Sequence, residues 1–205
     1  MPPVEDLRAR LTGRFVILEP ATAEHEEGLW EAAKDDSPLF RWMPVDLSTG
    51  REVVHDWLTG SIDATMTGKA VVYTILDAET RTPIGSTRWH EIRLEHLRAE
   101  IGWTWLTRRI WGQGHNVETK LLLLTQAFEQ AKLRRVEFKT DARNERSRGA
   151  LLALGATFEG VFRKHMVVQR GEPRDSAYYS VIDDDWPELK ARLQQRVQRH
   201  LSRSA

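Results

Sequence analysis

Short stretches of alternating or continuous apolar residues fill the first half of the chain, separated by two segments whose apolar positions recur at helical spacing. Residues 15–19 (FVILE) form a β-like run closed by Pro20, which has no N–H to continue a ladder. Thr22 suits the cap of a helix reaching about Lys34, with Leu29, Trp30 and Ala33 on one face. The segment 37–48 (SPLFRWMPVDLS) carries two prolines among large apolar residues. It reads as a structured loop, able to wall a pocket, before a second helix over 51–66. Residues 70–76 and 83–92 flank a turn at 77–82 and predict a hairpin. With a third strand over 98–106 they form an antiparallel meander.

A glycine-containing turn then opens into a strongly apolar helix, RIWGQGHNVETKLLLLTQAF at 109–128. Beyond it, 135–140 alternates Val136, Phe138 and Thr140 with charged neighbours. That is the pattern of a half-buried strand, and a helical crossover makes it parallel to a neighbour. Asn144 is placed to cap a helix that ends near Gly155. Two further strands, 158–168 and 176–183, are joined across 170–173, and 186–200 is a charged terminal helix with Pro187 in its first turn. The order β-α-α-β-β-β-α-β-α-β-β plus a terminal helix predicts an α+β fold around one mixed, mostly antiparallel sheet flanked by helices. No linker or composition shift divides residues 1–205, so a single domain is expected, with its core over about 10–185 and the extra helix over about 186–200.

Composition narrows the function classes. With 40% hydrophobic residues and eight tryptophans the chain can bury a sizeable core. Its 30 basic and 30 acidic residues cancel, which argues against nucleic acid as the main partner. The absence of cysteine excludes disulfides, a thiol nucleophile and thiolate metal sites. The seven histidines show no metal-ligand spacing, so no metal is expected. The first fourteen residues (MPPVEDLRARLTGR) lack an apolar signal core and the longest leucine run is four, so a cytoplasmic protein without membrane association is expected.

The turn at 109–116 reads as an anion site. Gly112 and Gly114 let the backbone approach a ligand closely, and the helix that follows leaves its first N–H groups pointing back at the turn. Arg109 adds a charge beside them. A dinucleotide fingerprint starting at Gly112 would need glycine where Val117 stands, and a Walker loop would need Gly-Lys-Ser/Thr, which is absent.

The remaining pattern, Arg109-x-x-Gly112-x-Gly114, resembles the acetyl-CoA signature of the GNAT family of N-acetyltransferases. AEIGWTW at 99–105, WGQGHNVETKLLLL at 111–124, KTDARNERSR at 139–148 and LGATFEGVFRKH at 154–165 are similar to its RimJ/RimL branch. The resemblance implies a GNAT-like sheet in which the strands before and after the central helix splay to admit pantetheine. It implies acetyl-CoA as co-substrate and transfer of its acetyl group, by direct attack, to a primary amine on a protein N-terminus or small molecule. The alternative of another class is an acyl-CoA-binding protein without turnover.

Such chemistry needs a held cofactor, a deprotonated amine, a stabilised oxyanion and a proton for the thiolate. The resemblance assigns the pyrophosphate to the backbone of Trp111, Gly112, Gln113, Gly114, His115 and Asn116, with Arg109 nearby, and the oxyanion to a backbone N–H among Trp105, Leu106 and Thr107. Asn144 and Ser147 match the second cofactor motif, where an Asn at a helix N-cap needs no ligand. Leu151 occupies the position where the family often has a tyrosine acid, which promotes Ser147 as partner of the leaving sulfur. Glu100, beside small Gly102 and polar Thr104, is the candidate base, with His90 on the adjacent strand as an alternative. Trp42, Met43, Trp89 and His90 are candidates for the acceptor pocket, and Arg143, Arg146 and Arg148 for the nucleotide end of CoA. The terminal helix and aromatic loops supply surface for a symmetric homodimer.

Overall fold

The computed structural model describes residues 7–204. Its strands are β1 (Leu11–Thr12), β2 (Val16–Pro20), β3 (Val71–Asp77), β4 (Pro83–Arg93), β5 (Arg98–Leu106), β6 (Arg135–Asp141), β7 (Thr157–Val167) and β8 (Pro173–Ile182). They form one sheet in the order β1-β2-β3-β4-β5-β6-β8-β7. Every pairing is antiparallel except that of β5 with β6. The expected hairpin and meander are β3, β4 and β5, and the helical crossover makes β6 parallel to β5.

The helices are α1 (Glu26–Ala33), α2 (Ser37–Phe40), α3 (Arg51–Met66), α4 (His115–Thr125), α5 (Glu145–Leu154) and α6 (Trp186–Ser204). Two apolar clusters separate them. Leu29, Phe40, Val54 and Leu58 from α1, α2 and α3 pack with Val72 and Trp105, whereas Leu123, Leu151, Leu154 and Leu193 from α4, α5 and α6 pack with Tyr73, Ile101 and Phe138. Neighbouring residues of β3 enter opposite clusters because strand side chains alternate between faces. Both faces of the sheet are covered.

Three details depart from the sequence reading. The loop at 37–48 contains the one-turn α2, with proline in its first turn and Leu39 and Phe40 buried. Strand β1 was not foreseen, since two residues are too short for a period to register. It is secured through Glu118 of α4, whose buried carboxylate accepts the backbone N–H groups of Arg14, Phe15 and Val16 at 2.8, 2.6 and 3.0 Å. Finally, α6 continues to Ser204 and buries Trp186, Leu189, Leu193 and Val197 against its own chain. That spacing is one helical stripe, so the apolar face of the terminal helix is already spent and is not available for pairing. The edge strand β7 instead exposes Phe158, Val161, Phe162 and Val167.

Candidate active site

Strands β5 and β6 run together for three residue pairs only, Arg98 with Arg135, Ala99 with Val136 and Glu100 with Glu137. Past Glu100, β5 stays with β4 while β6 stays with β8. The sheet therefore forks, and a cavity of about 470 Å³ opens between Ile101 to Leu106 on one side and Phe138 to Thr140 on the other. A bulge in β5 widens the fork: Ser86 faces Trp105 and Arg88 faces Gly102, so two β5 residues oppose Thr87 alone. Trp103 takes the strain at φ +54, with the guanidinium of half-buried Arg88 4.2 Å from its ring.

The glycine turn closes one end of this cleft. Gly112 and Gly114 have φ +77 and +98, the left-handed region that only glycine enters freely. The first helical bond runs from Glu118 N–H to Gly114 carbonyl at 2.9 Å, which leaves the first-turn N–H groups of His115, Asn116 and Val117 without intrahelical acceptors. These donors suit a diphosphate. Not all the expected donors are free, however. The N–H groups of Trp111 and Gln113 already reach the carbonyls of Arg108 and Ile110 at 3.0 and 3.3 Å. Thr107 likewise gives its N–H to Ile84 at 2.9 Å, which removes it from the oxyanion candidates.

The side chains sort differently from the sequence reading. Trp105, Leu106, Trp111, Gly112, Gly114, Asn116, Asn144 and Ser147 line the cleft, as do Trp42 and Met43. Arg109 stands exposed outside it, Gln113 folds back onto the Arg109 carbonyl at 2.7 Å, and His115 is buried against Phe15 and 3.4 Å from Asp77. Of the three arginines offered to the nucleotide end, Arg143 pairs with Asp141 at 2.8 Å and Arg148 with Tyr179 at 3.1 Å. Only Arg146 lines the cleft, 3.9 Å over the Trp111 ring, where burial and then the charge of Arg108 hold its pKa below normal. Arg196 and His200 of α6 also reach the lining. Trp89 does not belong to the site: it is fully buried and donates its indole N–H to Gln126 at 2.9 Å. Even-numbered and odd-numbered β4 residues face opposite ways, and Trp89 faces the core.

Asn144 caps α5, its side-chain oxygen accepting the Ser147 N–H at 3.1 Å. The bond uses the backbone of Ser147 and leaves its hydroxyl for the cleft.

Glu100 sits where the strands part and is 1% exposed. Its two oxygens lie 3.1 Å from His90 Nε2 and 3.1 Å from Lys139 Nζ. The contact with His90 is at ion-pair distance but is not aligned as a hydrogen bond, so Nε2 and Oε1 are buried with unspent capacity. Burial pushes the Glu100 carboxyl up, yet His90 and Lys139 together outweigh it and hold the group below its usual value. It is an anion at neutral pH. Glu100 and Lys139 also border a second cavity of about 400 Å³, walled by Phe162, His165 and Tyr178. There Phe162 and Tyr178 stack with centroids 4.5 Å apart, and Tyr178 Oη and His165 Nε2 are 3.2 Å apart. Sequence reading missed this wall because β7 and β8 are brought to Glu100 only by the sheet order. It also missed Lys120, although a lysine ahead of four leucines in the central helix was a visible break in the pattern.

The chain matches the family model described as an acetyltransferase (GNAT) domain over residues 16–157. It is 27% identical over 176 residues to YdaF of Bacillus subtilis, whose name proposes a ribosomal N-acetyltransferase, covering 83% of this chain and 91% of that protein. A GCN5-related N-acetyltransferase from Brucella melitensis superposes with a TM-score of 0.86 at 29% identity, covering 92% of this chain and 85% of that one. RimL, the ribosomal L7/L12 α-N-protein acetyltransferase, shares the fold with a TM-score of 0.75 at 22% identity, over 85% and 94% of the two chains. The forked sheet, the glycine turn and these matches agree, and the chain belongs to the GNAT family of acetyltransferases.

Proposed function

We propose that the forked cleft holds acetyl-CoA and that the acceptor amine reaches the thioester from the second cavity, meeting Glu100. The observation that carries this reading is that Glu100 lines both cavities at the point where β5 and β6 separate. The cleft suits the cofactor: first-turn donors of α4 face a diphosphate, Arg146 and Arg196 add positive charge, and Asn144 and Ser147 stand along the pantetheine route. When bound, the thioester supplies an electrophilic carbonyl and a sulfur leaving group.

Glu100, kept ionised by His90 and Lys139, attracts the acceptor's ammonium form and takes its proton, which frees the nitrogen lone pair to attack. Acceptor amines have reference pKa values of about 8 for an α-amino group and about 10.4 for lysine, so this proton must be removed at neutral pH. The aromatic wall of Phe162, His165 and Tyr178 favours acceptors with an apolar or planar group beside the amine.

The test screens N-terminal peptides and small amines for thiol release from acetyl-CoA, then compares Glu100→Gln with the parent using the best acceptor. Turnover should fall ~10²- to 10⁴-fold at neutral pH and recover in part at high pH, where the amine is already neutral. A change under about threefold removes Glu100 from the proton path. Tight acetyl-CoA binding with no thiol release to any acceptor would instead support a binding protein.

A further inference from the structure

Lys120 takes no part in the scheme above, yet it is the least expected side chain in the cleft. It lies on α4 and is 6% exposed. Its Nζ is 2.7 Å from Thr104 Oγ1 on β5 and 5.8 Å from the ring centroid of Phe138 on β6, so it bridges the two arms of the fork. Thr104 is fixed in turn by the Thr87 hydroxyl at 2.8 Å. Thr104 is the only hydrogen-bond partner of Lys120 among the described residues. An ammonium has three N–H donors, so two remain unspent. Of the other charged groups in the cleft, Lys139, Arg146, Arg174 and Arg196 are cations, and the one carboxylate, Glu100, is engaged by His90 and Lys139.

A buried cation without a counter-charge is costly, and leucine would continue the apolar run 121–124 without that cost. The position therefore points to negative charge arriving in the cleft. The diphosphate is not the source. Lys120 lies six residues beyond Gly114 in sequence, which at helical rise is roughly 9 Å along α4 from the turn. Acetyl transfer produces a second anion, the sulfur left when the thioester breaks.

We propose that Lys120 is a catalytic acid that protonates the departing CoA thiolate, an assignment that rests on the acetyl-transfer reading above. The acceptor nitrogen forms its bond to the acetyl carbon, the carbon–sulfur bond breaks, and its electron pair leaves on sulfur. One Lys120 N–H proton passes to that sulfur, giving free thiol and a neutral lysine. Between ammonium and amide the nitrogen loses two protons, one to Glu100 before the attack and one to water after it. Glu100 passes its proton through solvent to neutral Lys120, which restores both groups, and one proton is released overall. The energetics favour lysine over the other candidate. Burial lowers the Lys120 pKa to about 7, below the roughly 8.5 of an ordinary thiol, so transfer to thiolate is downhill. Leu151 has no proton to give, and the Ser147 hydroxyl is a far weaker acid whose hydrogen bond can still steady the sulfur.

The experiment uses the full chain with CoA, and compares Lys120→Met, Lys120→Arg and the parent. Bound CoA thiol is titrated by thiolate ultraviolet absorbance, CoA affinity is measured by calorimetry, folding by thermal melting and turnover with the best acceptor. Lys120 has lost its charge by the pH at which a thiol ionises, so the bound thiols of the parent and of Lys120→Met should ionise at similar pH. Turnover of Lys120→Met should drop ~10²-fold or more while CoA affinity stays within about threefold. Arginine keeps its charge through that range and holds its proton, so Lys120→Arg should make the bound thiol ionise at lower pH than in the parent without restoring turnover. A bound thiol in Lys120→Arg that ionises as in the parent, a turnover loss under about threefold in Lys120→Met, or full activity in Lys120→Arg overturns the assignment. The titration needs no acceptor. If Lys120→Arg shows the shift but no acceptor turns over, the acetyl-transfer reading fails while the placement of Lys120 beside the sulfur stands.

Discussion

A Cβ added to Gly102 would stand 2.4 Å from His90 Nε2, closer than any real contact, so the absence of a side chain at Gly102 is what allows His90 to lie against Glu100. Gly102→Ala should therefore push the imidazole away while leaving the strand conformation and the cofactor turn intact. Turnover is expected to fall ~10- to 100-fold, the scale of a catalytic group displaced by about an ångström. CoA affinity, measured by calorimetry, should stay within about threefold. A parent-like turnover would show that His90 has no part in setting up Glu100.

The two turn glycines should respond differently to substitution. A Cβ on Gly112 meets nothing within 4 Å, so Gly112→Ala carries only left-handed strain, about 1–2 kcal/mol. On Gly114 it would press at 3.0 Å on His200 and 3.1 Å on Phe15, in addition to the strain at φ +98. Gly114→Val should displace the end of α6 from the cleft and weaken CoA by at least tenfold more than Gly112→Ala. Each tenfold corresponds to about 1.4 kcal/mol. Equal calorimetric affinities for the two variants would mean that α6 has no influence on the turn.

Trp42 and Trp89 should separate binding from stability. Trp89→Phe breaks the bond to Gln126, whose amide N–H also reaches the Tyr73 hydroxyl at 3.1 Å, and leaves a buried amide oxygen unpaired. A loss of about 1–3 kcal/mol in denaturant unfolding is expected, with the acceptor KM unchanged. Trp42 lines the cleft between the guanidinium groups of Arg41 and Arg143, at 4.7 and 5.1 Å. Trp42→Ala should raise KM with little effect on unfolding. The reverse pattern would exchange their roles.

Lys120 also has a pH signature in stability. Its pKa is about 7 in the folded chain, against a reference value of 10.5. Between those limits the unfolded chain binds the extra proton, so this residue makes the parent more stable as pH rises. Lys120→Met lacks that dependence and should exceed the parent by a few kcal/mol at or below neutral pH, with the gap closing toward pH ~10. Melting curves of both proteins across this range give the difference directly. A gap that does not change with pH would mean that Lys120 is not desolvated.

Local patterns in the chain determined its elements and their order. The short apolar runs gave the strands, Asn144 and Gly155 bounded α5, and the glycine pair followed by an apolar helix marked an anion-binding turn, because each of these depends on backbone conformation over a few residues. Glu100 was legible as a carboxylate on the strand before the turn, sharing its alternation with small Gly102 and polar Thr104. The tertiary structure decided what those residues meet. The fork exists because β5 and β6 take different partners after Glu100, and pairing between distant strands leaves no local trace. The same long-range order turned Trp89 into the core, gave the Thr107 N–H to the Ile84 carbonyl, and carried Lys120, Gly102 and the aromatic wall of β7 and β8 to the fork. Side-chain identity fixes what chemistry a residue can perform, whereas neighbours far away in sequence set its burial, its charge state and the group it faces.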